Sequence, residues 1–369
     1  MSKYKVCVYA ISKNEEAFVD RWVDAVNEAD LIVVLDTGST DNTVEKLKNR
    51  GVIVHEEEII PWRFDVARNK ALDFVPDDVD ICVSNDLDEV FERGWRDKLE
   101  NAWEKENTRA KYWFAWEHDV RGNIVKKFSM EKIHLRHGFK WKHPVHEVLE
   151  YFGENRDNSV FIDTIILHHY PNNEKSRAQY LPLLELSIKE NPSDDRGMFW
   201  LGREYCYEEQ YDKCISTLKK YLNMPTAIWD EERSGAMRFI SKAYLAKGVK
   251  NEAKSWLFRA AAQCFYVREP WLEIAKFGYV EGDWELVFFA TGKGLEIKTN
   301  RNSYLVSNEA WSYVLNDLGA IACFHLGMYD KAVKHAKIAC EIEPENERLK
   351  NNKDIILEKI KEESAYAQL

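Results

Sequence analysis

Over the first 80 residues, short apolar runs alternate with amphipathic stretches. Residues 5–11, 31–35, 52–56 and 79–83 are apolar runs of strand length. Residues 15–27, 43–50 and 65–74 carry apolar positions at helical spacing, with Phe18, Trp22, Ala25 and Val26 on one face of the first. The β-α-β-α order predicts a Rossmann-like α/β domain, a mainly parallel mixed sheet with helices on its faces. Thr40 or Asp41 can cap the second helix, and Gly51 ends it. Past residue 110 the pattern is less regular, and residues 112–117, 126–130 and 162–169 read as strands completing the sheet.

From about residue 176 the grammar changes to helix throughout. A three-then-nine spacing that includes small residues recurs, as at Ser241, Tyr244 and Ala253, and at Ala275, Gly278 and Val287. Ala320, Cys323 and Ala332 repeat it, and Pro344 follows the last unit. The units begin near residues 195, 234, 268 and 313, against a tetratricopeptide period of about 34. Helical hairpins of that kind are expected, with small residues where paired helices approach. The expected domains are residues 1–172 and an all-α domain at 173–369.

Composition narrows the class. The 369-residue chain has a net charge of −11 and no apolar run near the about 20 residues a membrane helix needs. The opening residues run straight into a strand, which leaves no room for a cleavable leader. None of the seven cysteines forms a Cys-x-x-Cys pair, and most lie in apolar segments. Free thiols in a reducing cytoplasm are expected. The acidic balance disfavours nucleic acid as a partner. Locally the sign reverses: Lys126, Lys127, His134, Arg136, His137, Lys140 and Lys142 read either as a solvated loop or as a wall facing phosphates.

The chemistry lies where strands end. Asp86-Leu87-Asp88-Glu89 follows the strand at 79–83, at the edge where open α/β sheets bind ligands. Two carboxylates two residues apart can share a divalent cation that holds nucleotide phosphates. A second acidic turn, Asp36-Thr37-Gly38-Ser39-Thr40-Asp41, follows the strand at 31–35. With Ala10-Ile11-Ser12-Lys13-Asn14-Glu15-Glu16 and Phe64-Asp65-Val66-Ala67-Arg68-Asn69, these segments stand in an order that resembles the family 2 glycosyltransferases over residues 4–170.

The resemblance implies a GT-A fold and a nucleotide-sugar donor. Ala10 and Ser12 would flank the base, with Asp36 accepting the imide N–H of uracil, which favours a UDP-sugar. Asn14 and Glu15 would reach toward the ribose, and both also fit a helix cap. Ser39, Thr40 and Asp41 read as turn and cap. Arg68 would approach base or pyrophosphate, Asn69 would orient the Asp86 turn, and Asp86 and Leu87 would line the nucleotide. Asp88 and Asp86 would bind Mn²⁺ or Mg²⁺.

The stretch Lys140 to Glu147 is similar to one near the acceptor side in a subset of that family. The subset includes the glycocin peptide S-glycosyltransferases, in which tetratricopeptide repeats also follow the GT-A domain. It makes His146 a candidate metal ligand and Glu147 the candidate general base. His168 is a further candidate ligand, with neutral packing equally open to it. The separate acidic pair and aromatic Arg-Trp motif of many inverting members have no convincing copy here. The implied reaction is an inverting, metal-dependent transfer to a hydroxyl or thiol. The repeats point to a peptide or protein acceptor and could pair two copies into a homodimer. The rivals are a transferase acting on a glycolipid or surface polymer, and a non-catalytic repeat scaffold with a degenerate GT-A domain.

Overall fold

The structure, a computed structural model, describes residues 3–119, 121–171 and 178–366. The chain divides into two compact units, residues 1–192 with 302–304 and residues 193–301 with 305–369.

The first unit runs β1 (Val6–Ser12), α1 (Val19–Val26), β2 (Leu31–Asp36), α2 (Thr43–Asn49), β3 (Ile53–Glu56), α3 (Phe64–Asp73) and β4 (Ile81–Ser84). There follow β5 (Glu89–Phe91), α4 (Trp95–Ala102), β6 (Arg109–His118), β7 (Ile124–Leu135), β8 (Phe139–Lys142), β9 (Val148–Tyr151), β10 (Ser159–His169) and α5 (Tyr180–Glu190). The eight-stranded sheet has the order β3-β2-β1-β4-β7-β6-β10-β5, and β8-β9 form a separate ribbon. The first four neighbours are parallel, and β7 runs antiparallel to both β4 and β6.

Alternation along β1 sorts its side chains into two cores. Val6, Val8 and Ala10 join Val19, Trp22, Val23 and Val26 of α1. Cys7 and Tyr9 join Ala71 and Leu72 of α3. Because β1, β2 and β4 are parallel, Ser12, Asp36 and Ser84 end at one edge of the sheet, and the loops leaving that edge carry the acidic turns.

The boundaries depart from the sequence pattern at informative places. The first helix starts at Val19 rather than 15, because the N–H groups of Glu15 and Glu16 bond Thr43 Oγ1 and Asp41 Oδ2 instead of capping a helix. Asn42, not Thr40 or Asp41, holds the N-cap position of α2, while Asp41 Oδ1 accepts from the Thr43 N–H at 3.0 Å. The pattern gave no sign of β5, which has 3 residues.

The second unit is all helix. Its hairpins pair α6 (Asp195–Tyr207) with α7 (Tyr211–Leu222), α8 (Asp230–Ala246) with α9 (Lys250–Gln263), α10 (Glu269–Glu281) with α11 (Trp284–Glu296), and α12 (Val314–His325) with α13 (Tyr329–Ile342). The helix α14 (Glu347–Tyr366) follows. Small residues set the approach distances. A Cβ on Gly202 would stand 2.4 Å from Leu218 Cδ2, and one on Gly278 would meet Val287 Cγ2 at 3.0 Å. Ser241 donates to the Ala253 carbonyl at 2.9 Å, tying α8 to α9. Among the described residues no helix is long and apolar enough to cross a membrane.

Candidate functional site

The Asp36 turn closes on its own carboxylate. Oδ1 accepts from the N–H groups of Gly38 (3.0 Å) and Ser39 (2.8 Å), and Oδ2 accepts from the hydroxyls of Ser12 (2.8 Å) and Ser39 (2.5 Å). Gly38 takes φ +105°, a conformation that a side chain would strain. The buried carboxylate thus has all its acceptor positions in use. A base imide could reach it only by displacing Ser12 or Ser39. Asn14 belongs to the same construction, its Oδ1 accepting from the Thr40 N–H at 2.7 Å. The Ala10 side chain is buried in the sheet core.

The other acidic turn is built around a buried cation pair. Arg68 donates a fork from Nη1 and Nη2 to the two Asp86 oxygens at 2.8 and 2.9 Å, and its Nε donates to Glu147. Its guanidinium also lies 5.2 Å over the Trp141 ring. On the other side of Asp86, Lys132 donates to Oδ2 at 3.2 Å and to Glu89 Oε1 at 2.8 Å. Desolvation alone would push the Asp86 carboxyl up, but Arg68 and Lys132 hold it far below the usual carboxylate range. Those carboxylates in turn hold Lys132 above the usual lysine range, against its burial. Glu89 moves up, because burial outweighs Lys132 and the Asp86 and Asp88 charges add to it. Its Oε2 accepts from the Asp86 N–H at 3.0 Å and fixes the turn.

Asp88 lies one step further along. Its Oδ2 is 3.4 Å from His169 Nε2, and its carbonyl accepts from the Tyr170 N–H at 2.8 Å. His169 stacks on Trp116 at 4.6 Å, and its buried Nδ1 has no hydrogen-bond partner among the described residues. A carboxylate oxygen and an imidazole nitrogen 3.4 Å apart can both reach one divalent ion at about 2.1 Å each, so the pair fits Mn²⁺, and Mg²⁺ through the carboxylate alone. No group of three His, Cys, Asp or Glu side chains forms a complete cage among the described residues.

The other candidates fall elsewhere. His168 lies on the opposite face of β10 from His169 and bonds His118 (2.8 Å) and Glu92 (3.2 Å). His146 takes φ +52° and packs its ring 5.7 Å from Tyr180. Asn69 does not reach the Asp86 turn. It makes two 2.8 Å bonds to the main chain of Trp141, anchoring β8. The Leu87 side chain is in the core. Glu147 stands close to Asp86, but through the guanidinium they share. In the basic stretch, Arg136 bonds the Val75 carbonyl and Asp77, and His137 bonds the Asp77 carbonyl. His134 is buried between the Tyr9 hydroxyl and the Leu135 carbonyl, and burial pushes its pKa down to about 3.

Lys132 and His169 are the residues the sequence reading passed over. Lys132 alternates with His134 on one face of β7, so an inward lysine needing an acid was the available signal. His169 had none, since its parity against Asp88 is set by the pairing of β10 with β5.

The glycosyl transferase family 2 model matches residues 7–167. The helical half is similar to a thermophilic TPR protein of Thermus thermophilus, at 20% identity over 48% of this chain and 88% of that one, with TM-score 0.34. It is also similar to MamA, at 20% identity over 47% and 96% of the two chains, with TM-score 0.37. No curated protein matches the chain.

Proposed function

From a family 2 glycosyltransferase domain at residues 7–167 followed by tetratricopeptide-like repeats, we propose that this chain moves a sugar from a nucleotide diphosphate, foremost a UDP-sugar, to an acceptor hydroxyl or thiol on a peptide, protein or glycan. The observation that carries the reading is the Asp86-to-Glu89 turn at the end of β4, where a buried Arg68 and Lys132 flank Asp86 and Asp88 meets His169.

In this reading the Asp36 turn forms the floor under the base, and rotation of the Ser12 or Ser39 hydroxyl frees an acceptor for a uracil imide. Asp88 and His169 would hold Mn²⁺, or Asp88 alone Mg²⁺, and the ion when bound offsets charge on the leaving diphosphate. Asp86 stays ionised between its two cations and orients them. Arg68 and Lys132 present fixed positive charge where negative charge grows as the sugar departs, which favours the transition state over the ground state. The acceptor oxygen or sulfur attacks the anomeric carbon from the face opposite the diphosphate as the C–O bond to the diphosphate breaks, which inverts the centre, and the acceptor's proton passes to solvent water. Glu147, already engaged by Arg68, is assigned to holding that guanidinium. All seven cysteines are free, which supports a reducing compartment such as the cytoplasm.

The test is hydrolysis of a panel of UDP-sugars by the purified chain, with and without Mn²⁺. We expect turnover of at least one sugar nucleotide that depends on Mn²⁺ and falls by about 100-fold or more in Asp88→Ala and in His169→Ala. Asp88 and His169 lie in a surface turn and a strand end, so both variants should melt near the parent temperature. A chain that neither binds nor hydrolyses any nucleotide sugar would return the reading to a repeat scaffold.

A further inference from the structure

An imidazole that ligates an ion through Nε2 must keep the ion in the plane of its ring. The χ2 torsion of histidine is broad, and rotation about it swings that nitrogen aside. Metal-ligating histidines ordinarily fix the ring by donating the other N–H to a carboxylate, a carbonyl or a water. His169 makes no such bond among the described residues, because its Nδ1 is buried and without a partner there. Its orientation has another source.

That source is a set of aromatic rings on one face of the sheet. The parallel pairing of β6 with β10 sets Ala115 opposite His168, so the next residues along, Trp116 and His169, stand side by side on the other face. Their rings stack with centroids 4.6 Å apart and planes 23° apart. Phe114, two residues back on β6, meets the same imidazole at 5.6 Å and 34°. Trp116 is itself placed by Phe114 at 6.0 Å and by Phe128 of β7 at 6.2 Å.

The main chain around His169 is fixed as well. His169 pairs with Glu89 of β5, and the Tyr170 N–H donates to the Asp88 carbonyl at 2.8 Å. With the backbone held, the stack settles the remaining ring rotation and leaves Nε2 3.4 Å from Asp88 Oδ2. The indole is not closed into the core. Trp116 is 43% exposed, whereas Phe114 beside it is 2% exposed.

We infer that Trp116 is a positioning residue for the metal site: its ring holds the His169 imidazole in the plane that faces Asp88, in place of the usual hydrogen bond to Nδ1, and so gives the site a preference for Mn²⁺ over Mg²⁺. The inference rests on the assignment of Asp88 and His169 to the ion in the proposed transferase reading. The preference follows from donor type. Mg²⁺ takes carboxylate and water oxygens and draws on Asp88 alone, while Mn²⁺ takes the imidazole nitrogen as well. Loosening the ring therefore removes a ligand from Mn²⁺ and none from Mg²⁺.

The test is Mn²⁺ titrated into the full chain, followed by loss of the free-ion electron paramagnetic resonance signal, and then displaced with Mg²⁺. We expect the parent to bind Mn²⁺ and Asp88→Ala to lose that binding. Trp116→Leu should weaken Mn²⁺ by about tenfold, while Trp116→Phe, which keeps a flat ring, should stay within about threefold of the parent. The Mg²⁺ affinity read from displacement should be the same in the parent and both Trp116 variants. Both substitutions remove the indole, so any general loosening is shared, and the ratio of Phe to Leu carries the comparison even where both melt early. Equal Mn²⁺ affinity in the Leu and Phe variants overturns the inference and leaves the metal reading in place. So does an equal loss of Mn²⁺ and Mg²⁺ affinity, which marks a turn loosened as a whole. A parent chain that binds no Mn²⁺ overturns the metal reading and this inference with it.

Discussion

The two units bury polar groups for different ends. In the helical unit the buried hydroxyls bond main-chain carbonyls: Ser241 reaches Ala253, Ser234 reaches Ala260 and Thr291 reaches Val287. Its buried Glu232 is met by the Tyr221 hydroxyl at 2.9 Å. These bonds brace helices against one another. The helical unit buries its carboxylates singly, Glu269 and Asp317 among them, whereas the sheet unit gathers several opposite charges, Arg68 and Lys132 against Asp86, Glu89 and Glu147, at one strand end. Desolvating so many charges costs several kcal/mol per ion, and apolar residues would fill the space more stably. In the proposed transferase reading, the cluster is kept for what it does to the sugar nucleotide.

Four substitutions or titrations probe that contrast, from the largest effect down. Arg68→Met leaves Asp86 and Glu147 facing each other without their shared cation. It should destabilise the sheet unit by about 3–5 kcal/mol, read by urea unfolding, and abolish nucleotide binding read by calorimetry. A stable variant that still binds would mean the cluster is structural ballast. Gly202→Val drives methyl groups into Leu218 and should cost about 1–3 kcal/mol in the helical unit, while UDP-sugar hydrolysis continues at the parent rate.

His134 gives a pH signature. Its ordinary value of 6.5 drops to about 3 in the fold, so the unfolded chain takes up a proton that the native state refuses. The stability it contributes is complete above pH 6.5 and is lost as pH falls from there toward 3, by about 1.4 kcal/mol per unit. Melting temperature followed from pH 7 to 5 should therefore fall less in His134→Gln than in the parent. Equal slopes would exclude His134 as the source. The subtlest test is Glu147→Gln. A general base would lose kcat with donor affinity intact, whereas a holder of Arg68 should raise the donor KM by about tenfold and leave kcat within a few-fold.

Much of the fold could be read before any coordinates. The helical starts near 195, 234, 268 and 313 coincide with α6, α8, α10 and α12, because the packing that fixes a hairpin is local and writes itself as small residues at short spacing. Strands β1, β2 and β4 were legible for the same reason, as unbroken apolar runs. The site was legible only in part. Asp86, Asp88 and Arg68 announce themselves by type and order, and the structure brings Arg68 and Asp86 within a bidentate bond. Lys132 and His169 reach the turn across strand pairings, β4 with β7 and β5 with β10, and sequence distance carries no trace of which face a pairing selects. Asp36 was legible as a turn residue, but not that its own turn would use every acceptor it has.

The two adjacent imidazoles at the end of β10 bear on how this chain can change length. Upstream in that strand the pairing with β6 breaks register between Phe161 and Ile166. An added residue that this break does not take up slides the strand beyond it by one position and turns each side chain to the other face. One residue inserted there would carry His168 into the position that His169 holds beside Asp88. The strand end would still present an imidazole to the acid, whereas a deletion would present Tyr170. Insertions and deletions in this segment should therefore be tolerated unequally.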